Sequence, residues 1–215
     1  VAGDTPLAQA RSFTREFRQL LRVNDPDQEL QPRRLETGVL SQVTLVQTHL
    51  GIPVFGAEVA VHLADGEALD VQGFLLPSDE LATRLPDVTP TLSAEQAEAI
   101  VKAARAPLPS VQLFRDSSLA IYDRCVLTEG TPMNPRLAWR VAYRGANREF
   151  FVDAHTGEIL HRRAVSATDG PLDDLNLDIQ DAENEANAFS DGCFLLSNDD
   201  FVADEDGIDP LYQGN

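Results

Sequence analysis

The sequence predicts an α+β fold: two consecutive units, each a helix followed by an antiparallel meander, and then an acidic irregular tail. Three observations carry this expectation. A helical apolar period near the N-terminus gives way to a period of two from Val39, the same succession recurs from Ser93, and neither run shows the strand–helix–strand alternation of a βαβ crossover. The expected units are residues 1–88 and 89–165, with residues 166–215 as linker and tail.

The first helix opens with Thr5 as cap and Pro6 at the first helical position, where its missing N–H costs nothing. Leu7, Ala10, Phe13, Phe17, Leu20 and Leu21 follow at helical spacing, and Asn24-Asp25-Pro26 is expected to stop the helix. Val43 and Leu45, then Val59, Val61 and Leu63, alternate with polar neighbours, which predicts half-buried strands separated at Gly51-Ile52-Pro53 and Asp65-Gly66. The meander is expected to run to about Leu76.

In the second unit Ser93-Ala-Glu-Gln96 reads as a capping box ahead of Ala97, Ile100, Val101 and Ala104, which share one helix face. Pro107 and Pro109 end that helix. Strands are expected over residues 119–127, 137–143, 149–152 and 158–161, the second alternating Leu137, Trp139, Val141 and Tyr143 against Ala138, Arg140, Ala142 and Arg144. The turn His155-Thr156-Gly157 leads into the last of them.

The net charge is −18, and it is unevenly placed: no Lys or Arg follows Arg163, while thirteen acids lie between Asp173 and Asp209. Nucleic acid is not expected as a partner, because affinity for it rests on basic side chains neutralising phosphates. No apolar run approaches the ~18 residues needed to cross a bilayer, so no membrane span is expected. Val1 opens in polar sequence, so any signal peptide is expected to have been removed or to lie outside this numbering. Between the balanced and acidic parts, Ser166-Ala-Thr-Asp-Gly-Pro171 is linker chemistry and an accessible protease target.

Two cysteines, Cys125 and Cys193, stand 68 positions apart, which excludes a disulfide scaffold and a CxxC site. One bridge, two buried thiols and half-bridges to another molecule all stay open. Cys125 is expected as a buried strand thiol, and Cys193, in the apolar island Gly192-Cys-Phe-Leu-Leu196, as an anchor for the tail.

No catalytic constellation emerges. The four histidines, His49, His62, His155 and His161, include no HExxH pair, and GxSxG, GxxxxGK[ST] and GxGxxG are absent. Strand-surface or capping roles are expected for His49 and His62. No spacing selects a pair of glycosidase carboxylates. Asp199, Asp200, Asp204 and Asp206 group hard oxygen ligands as calcium prefers, although Val202 stands where a further oxygen is needed, and a solvated acidic segment is the competing reading.

Two stretches resemble a known arrangement. Gln47-Thr-His-Leu-Gly-Ile-Pro-Val-Phe-Gly-Ala-Glu-Val-Ala-Val-His-Leu63 resembles the fungalysin/thermolysin propeptide (FTP) motif, with Gly51, Pro53 and Gly56 as its turn residues; Leu50 departs from the family's usual residue before the glycine. Leu137-Ala-Trp-Arg-Val141 with Phe150-Phe-Val-Asp-Ala-His-Thr-Gly-Glu-Ile-Leu160 resembles a PepSY domain, whose closing turn uses Asp153, Thr156 and Gly157. In this order they resemble the proregion of a thermolysin-like (M4) zinc metallopeptidase.

The resemblance implies a secreted, non-catalytic prosegment that inhibits a metallopeptidase catalytic domain and assists its folding, with zinc in that domain and no cofactor in this chain. On that reading the segment from Leu160 to Leu175 lies in or beside the protease cleft and contains the activating cut. Leu160, Val165 and Leu172 would fill an apolar pocket, and Arg162 and Arg163 would pair with acids at its rim or form a trypsin-like cutting site. The alternative is a stand-alone extracellular binding module of two α+β domains with an acidic, calcium-binding tail.

Overall fold

The computed structural model describes residues 5–64, 67–104, 114–128, 132–143, 148–164, 194–196, 201–204 and 207–210. Helix α1 (Pro6–Glu16) begins where Thr5 Oγ1 accepts the Ala8 N–H at 3.2 Å. It ends one turn earlier than its apolar period predicts. Residues 17–22 form turns closed by Val23 N–H donating to the Arg18 carbonyl at 2.9 Å, with Arg22 in the left-handed region at φ +53. Asp25 caps a further short helix, α2 (Pro26–Glu29), and Arg11 and Arg15 on α1 pair with its Asp27.

Strands β1 (Leu30–Glu36), β2 (Ser41–His49), β3 (Ile52–Ala64) and β4 (Glu67–Leu75) form an antiparallel meander. Helix α1 seals one face of it: Ala10 and Phe13 join Val43, Leu45, Val59 and Val61 in a single buried cluster. The short helix α3 (Ser78–Arg84) leads to α4 (Ala94–Ala103), which opens on the capping box formed by Ser93 and Gln96. Strand β5 (Phe114–Tyr122), a 3-10 turn at Arg124–Val126, and strands β6 (Arg136–Tyr143), β7 (Arg148–Asp153) and β8 (Ile159–Ala164) follow, paired in order and antiparallel. Ala97 and Val101 of α4 pack on Val141, Phe150 and Val152.

The strand expected over residues 119–127 is displaced. It starts earlier and stops at Tyr122, because the Asp123 carboxylate accepts the Cys125 N–H at 2.9 Å and turns the chain. Cys125 is therefore a buried residue of that turn, and it is disulfide-bonded rather than a strand thiol.

The two meanders are not separate sheets. Strand β3 pairs with β2 and β4 along its C-terminal part and with β5 at its N-terminal end, so nine strands are continuous. The ninth comes from the segment read as an irregular tail: β9 (Phe194–Leu196) pairs with β4, and β10 (Phe201–Asp204) pairs with β11 (Gly207–Pro210) in a hairpin. Among the described residues no helix is long and apolar enough to cross a membrane.

Candidate functional site

The joint between the two meanders is built by the stretch from Gly51 to Gly56. Leu50 (φ +50) and Gly51 (φ +81) occupy the two central positions of the β2–β3 hairpin, the backbone of a two-residue type I′ turn. Pro53 lies past the turn, in β3 opposite Thr48. The register then breaks: Thr48 faces Pro53 and Val46 faces Glu58, so Gln47 alone stands against the four residues 54–57. Gly56, at φ +73, allows that excursion, which a side chain would strain. At its outer limit Val54 pairs with Ile121 of β5 in parallel. Gln47 closes the gap from below, its buried amide donating to the Leu76 carbonyl at 2.6 Å and accepting the Leu76 N–H at 2.8 Å.

The excursion drives Phe55 into the core of the second meander, with Ala120, Tyr122, Ala138 and Phe151. Over the outer side of its ring stand Arg140 and Arg163, their guanidinium carbons 6.0 and 5.5 Å from the ring centroid. Both hold the fully buried Glu149. Arg140 donates to Oε1 from Nε at 3.1 Å and Nη2 at 2.6 Å, and Arg163 donates to Oε2 at 3.0 Å. Beside this cluster a groove of about 610 Å³ runs between the first meander and β5, with Val46, Phe55, Leu119 and Arg140 among its walls and the Arg33–Glu58 ion pair (2.8 Å) at its side.

The β7–β8 turn is equally well determined. Asp153 Oδ1 accepts the N–H groups of His155 (2.9 Å) and Thr156 (2.7 Å), Gly157 sits at φ +77, and Thr156 Oγ1 accepts the Glu158 N–H at 3.3 Å. Arg136 Nη2 lies 2.6 Å from Asp153 Oδ2 as an ion-pair contact outside hydrogen-bond alignment. Burial alone would raise this carboxyl. The Thr156 and His155 donors, with Arg136, outweigh it and hold Asp153 below the ordinary carboxylate value. At Asp123 burial prevails over the Cys125 and Asn134 N–H groups, and that carboxyl is raised.

The expected cleft segment divides. Leu160 packs against the Phe55–Phe151 cluster and Arg163 is committed to Glu149, so both belong to the sheet. Arg162 is exposed, its guanidinium 5.9 Å from the Phe150 ring centroid. Val165 and Leu172 lie outside the described residues, as do Asp199, Asp200 and Asp206; Asp204 ends β10. The histidines have local partners: His49 donates to the Leu85 carbonyl at 2.8 Å, His62 sits between Asp70 and Gln42, and His155 meets Thr91 Oγ1 at 2.9 Å. His161 stacks on Tyr122, and burial, with Arg163 and Arg124 nearby, lowers its basicity. Among the described residues no three His, Cys, Asp or Glu side chains group as metal ligands.

Residues 33–74 match the family described as Fungalysin/Thermolysin Propeptide Motif, and residues 91–163 match Peptidase propeptide and YPEB domain (PepSY). The chain carries a thermolysin-like propeptide region. Its similarity extends to the thermostable neutral protease NprT of Geobacillus stearothermophilus, 32% identical over 126 residues, which are 54% of this chain and 22% of that protein. Thermolysin of Alicyclobacillus acidocaldarius subsp. acidocaldarius is 31% identical over 126 residues, 54% of this chain and 21% of its own length. The chain thus spans about a fifth of the length of the curated relatives it matches. Among solved structures the Bacillus megaterium YpeB C-terminal domain aligns at 17% identity and a TM-score of 0.38, covering 74% of this chain and 63% of that one. Within the propeptide region the first match contains the whole β2–β3 excursion, and the second ends at Arg163, the residue that ties β8 to Glu149.

Glu149 and Gln47 are not legible as joint residues from spacing alone. The signal that marks Glu149 is a carboxylate opening the apolar run Phe150-Phe151-Val152, with arginines on both neighbouring strands.

Proposed function

We propose that this chain is the non-catalytic proregion of a secreted zinc metallopeptidase of the thermolysin type, which inhibits the catalytic domain and assists its folding. The observation that carries the reading is the order of the two matches, a propeptide motif at 33–74 followed by a propeptide domain at 91–163, in a sequence without HExxH. The zinc belongs to the catalytic domain, where metal-bound water does the hydrolysis. The propeptide region acts by holding a segment against that site. With Leu160 and Arg163 fixed in the sheet, the segment that enters the cleft starts after Ala164 and includes Val165 and Leu172.

The test adds the full chain in trans to a thermolysin-type catalytic domain and measures both peptide hydrolysis and the yield of active enzyme on refolding. Inhibition that saturates with added chain, together with a raised refolding yield, is expected. A chain that is hydrolysed as an ordinary substrate, with neither effect, overturns the reading. A second version ending at Ala164 keeps β8 whole and isolates the segment beyond it: weaker inhibition than the full chain is expected, and equal potency assigns inhibition to the folded sheets instead.

A further inference from the structure

Strand β4 is the outer strand of the first meander, and an outer strand presents unpaired N–H and C=O groups that another chain segment can take up. Here β9 takes them up, with Gly73 opposite Leu196, Phe74 opposite Leu195 and Leu75 opposite Phe194. Phe74, at the middle of that pairing, shares a buried cluster with Cys125, which is disulfide-bonded. The sequence contains one other cysteine, Cys193, and it is the residue immediately before β9.

We propose that Cys193 is the partner of Cys125, and that this bond and β9 together dock the segment following the linker onto the β4 edge of the propeptide region. A cut anywhere in residues 165–192 then separates the chain without separating the pieces. Three independent features converge on this. The β4–β9 register sets Phe194, the residue that follows Cys193 in the sequence, opposite Leu75, next to Phe74 of the cluster that holds Cys125, and a disulfide requires its two residues to come that near. A three-residue strand pair is too short to hold a severed segment alone, so a covalent partner beside it converts a weak contact into an intramolecular one. The intervening residues include Ser166-Ala-Thr-Asp-Gly-Pro171, the stretch whose composition most favours proteolysis.

On the proregion reading, cutting and release become separate steps. The cut prosegment stays at high effective concentration beside the segment it was cut from, and release requires reduction. In that reduction a dithiol supplies two electrons and two protons; its own sulfurs join as a disulfide, and Cys125 and Cys193 emerge as thiols.

The pairing is tested on the unaltered chain, made in an oxidising compartment, denatured and alkylated without reduction, and digested with trypsin. Because no Lys or Arg follows Arg163, mass spectrometry is expected to find residues 125–136 joined to residues 164–215. Residues 125–136 alkylated, or joined to a second copy of themselves, overturn the proposal. The clamp is tested by inserting a specific protease site between Thr168 and Asp169. After cutting, one band on a non-reducing denaturing gel and two on a reducing gel are expected. Two bands without reductant overturn it. Neither readout involves peptidase inhibition, so failure of the proregion reading and failure of the clamp are distinguishable.

Discussion

Phe55 and Phe151 pack with ring centroids 4.4 Å apart and ring planes tilted by 55°, although one belongs to the first hairpin and the other to the strand before the last turn of the second meander. The contact exists because β3 leaves its partner for residues 54–57 and returns. Phe55 is therefore where the stability of one meander reaches the other. Phe55→Ala removes that ring from a buried cluster and is expected to cost about 3–5 kcal/mol. Urea unfolding followed by Trp139 fluorescence, which reports the second meander, and by far-ultraviolet circular dichroism checks it. The wild-type transitions are expected to coincide and those of the variant to separate; an unchanged midpoint in both signals contradicts the role given to Phe55.

Three glycines with positive φ are expected to differ in what a methyl group costs. At Gly73 (φ +147) a Cβ would stand 2.1 Å from the Glu58 carbonyl oxygen and 2.8 Å from Val59 Cα, both backbone atoms of β3 that cannot yield without breaking the sheet. At Gly157 (φ +77) it would meet Ile100 Cδ1 at 2.8 Å, the mobile end of a side chain, and at Gly51 (φ +81) nothing within 4 Å. Gly51→Ala then carries only conformational strain, about 1 kcal/mol; Gly157→Ala about 1–3 kcal/mol; Gly73→Ala more than either. Denaturation midpoints of the three variants give the order directly, and Gly73→Ala ranking last would refute the close approach of β4 to β3.

The legible parts of the fold are those whose local chemistry and tertiary role agree. Ser93 and Gln96 cap α4 because both halves of the capping box are local, and β6 is legible because its larger apolar side chains Leu137 and Val141 share one face, while the other face, also buried, is filled by the small Ala138 and Ala142. Strand β1 carries no such signal because, at the outer edge of the sheet, only Leu30 is buried and Pro32 interrupts it. The end of α1 is misplaced by periodicity because Leu21 is buried by the turn after the helix, so its apolar character continues the helical period beyond the helix. At the joint, Gly51 and Gly56 are visible as turn residues, but the excursion between them depends on pairing with β5, some sixty residues away, which no local window contains.

Asp153 makes acid stability dependent on the last turn. Its carboxyl is held below the ordinary 3.8, so it contributes stability that is fully present above that value and is lost as pH falls through the folded value. Asp123, raised above 3.8, acts in the opposite sense: its contribution is present below 3.8 and lost as pH rises through its folded value. Asp153→Asn is accordingly expected to be less stable than wild type at pH 7, with the gap narrowing as pH falls below 3.8 and the wild-type carboxylate protonates. Urea midpoints measured from pH 3 to pH 7 test this, and a gap independent of pH would remove Asp153 from the acid transition.

Glu149 is fully buried with a guanidinium on each carboxylate oxygen, and the two arginines do not contribute equally. Arg140 gives two hydrogen bonds to Oε1 and is the less exposed, its side chain 14% accessible against 23% for Arg163, which gives one bond to Oε2. Removing either leaves a buried carboxylate with only part of its compensation, so both losses exceed what a surface pair would show. Arg140→Ala is expected to cost about 3 kcal/mol or more, and Arg163→Ala about 1.5–3 kcal/mol, the range for one charge-assisted hydrogen bond. Because both act through the same carboxylate, the double variant should fall short of or exceed the sum of the singles by more than about 0.5 kcal/mol. In a Glu149→Gln background the charge they neutralise is gone, and each arginine substitution should cost less than in wild type. Equal costs in the two backgrounds would mean that the arginines stabilise the joint through their stacking on Phe55 alone. The difference matters for β8, because Arg163 ties the last strand of the propeptide region to the Phe55 joint: a charge-based tie is weakened in the Glu149→Gln background, and a tie made through the Phe55 ring is kept there.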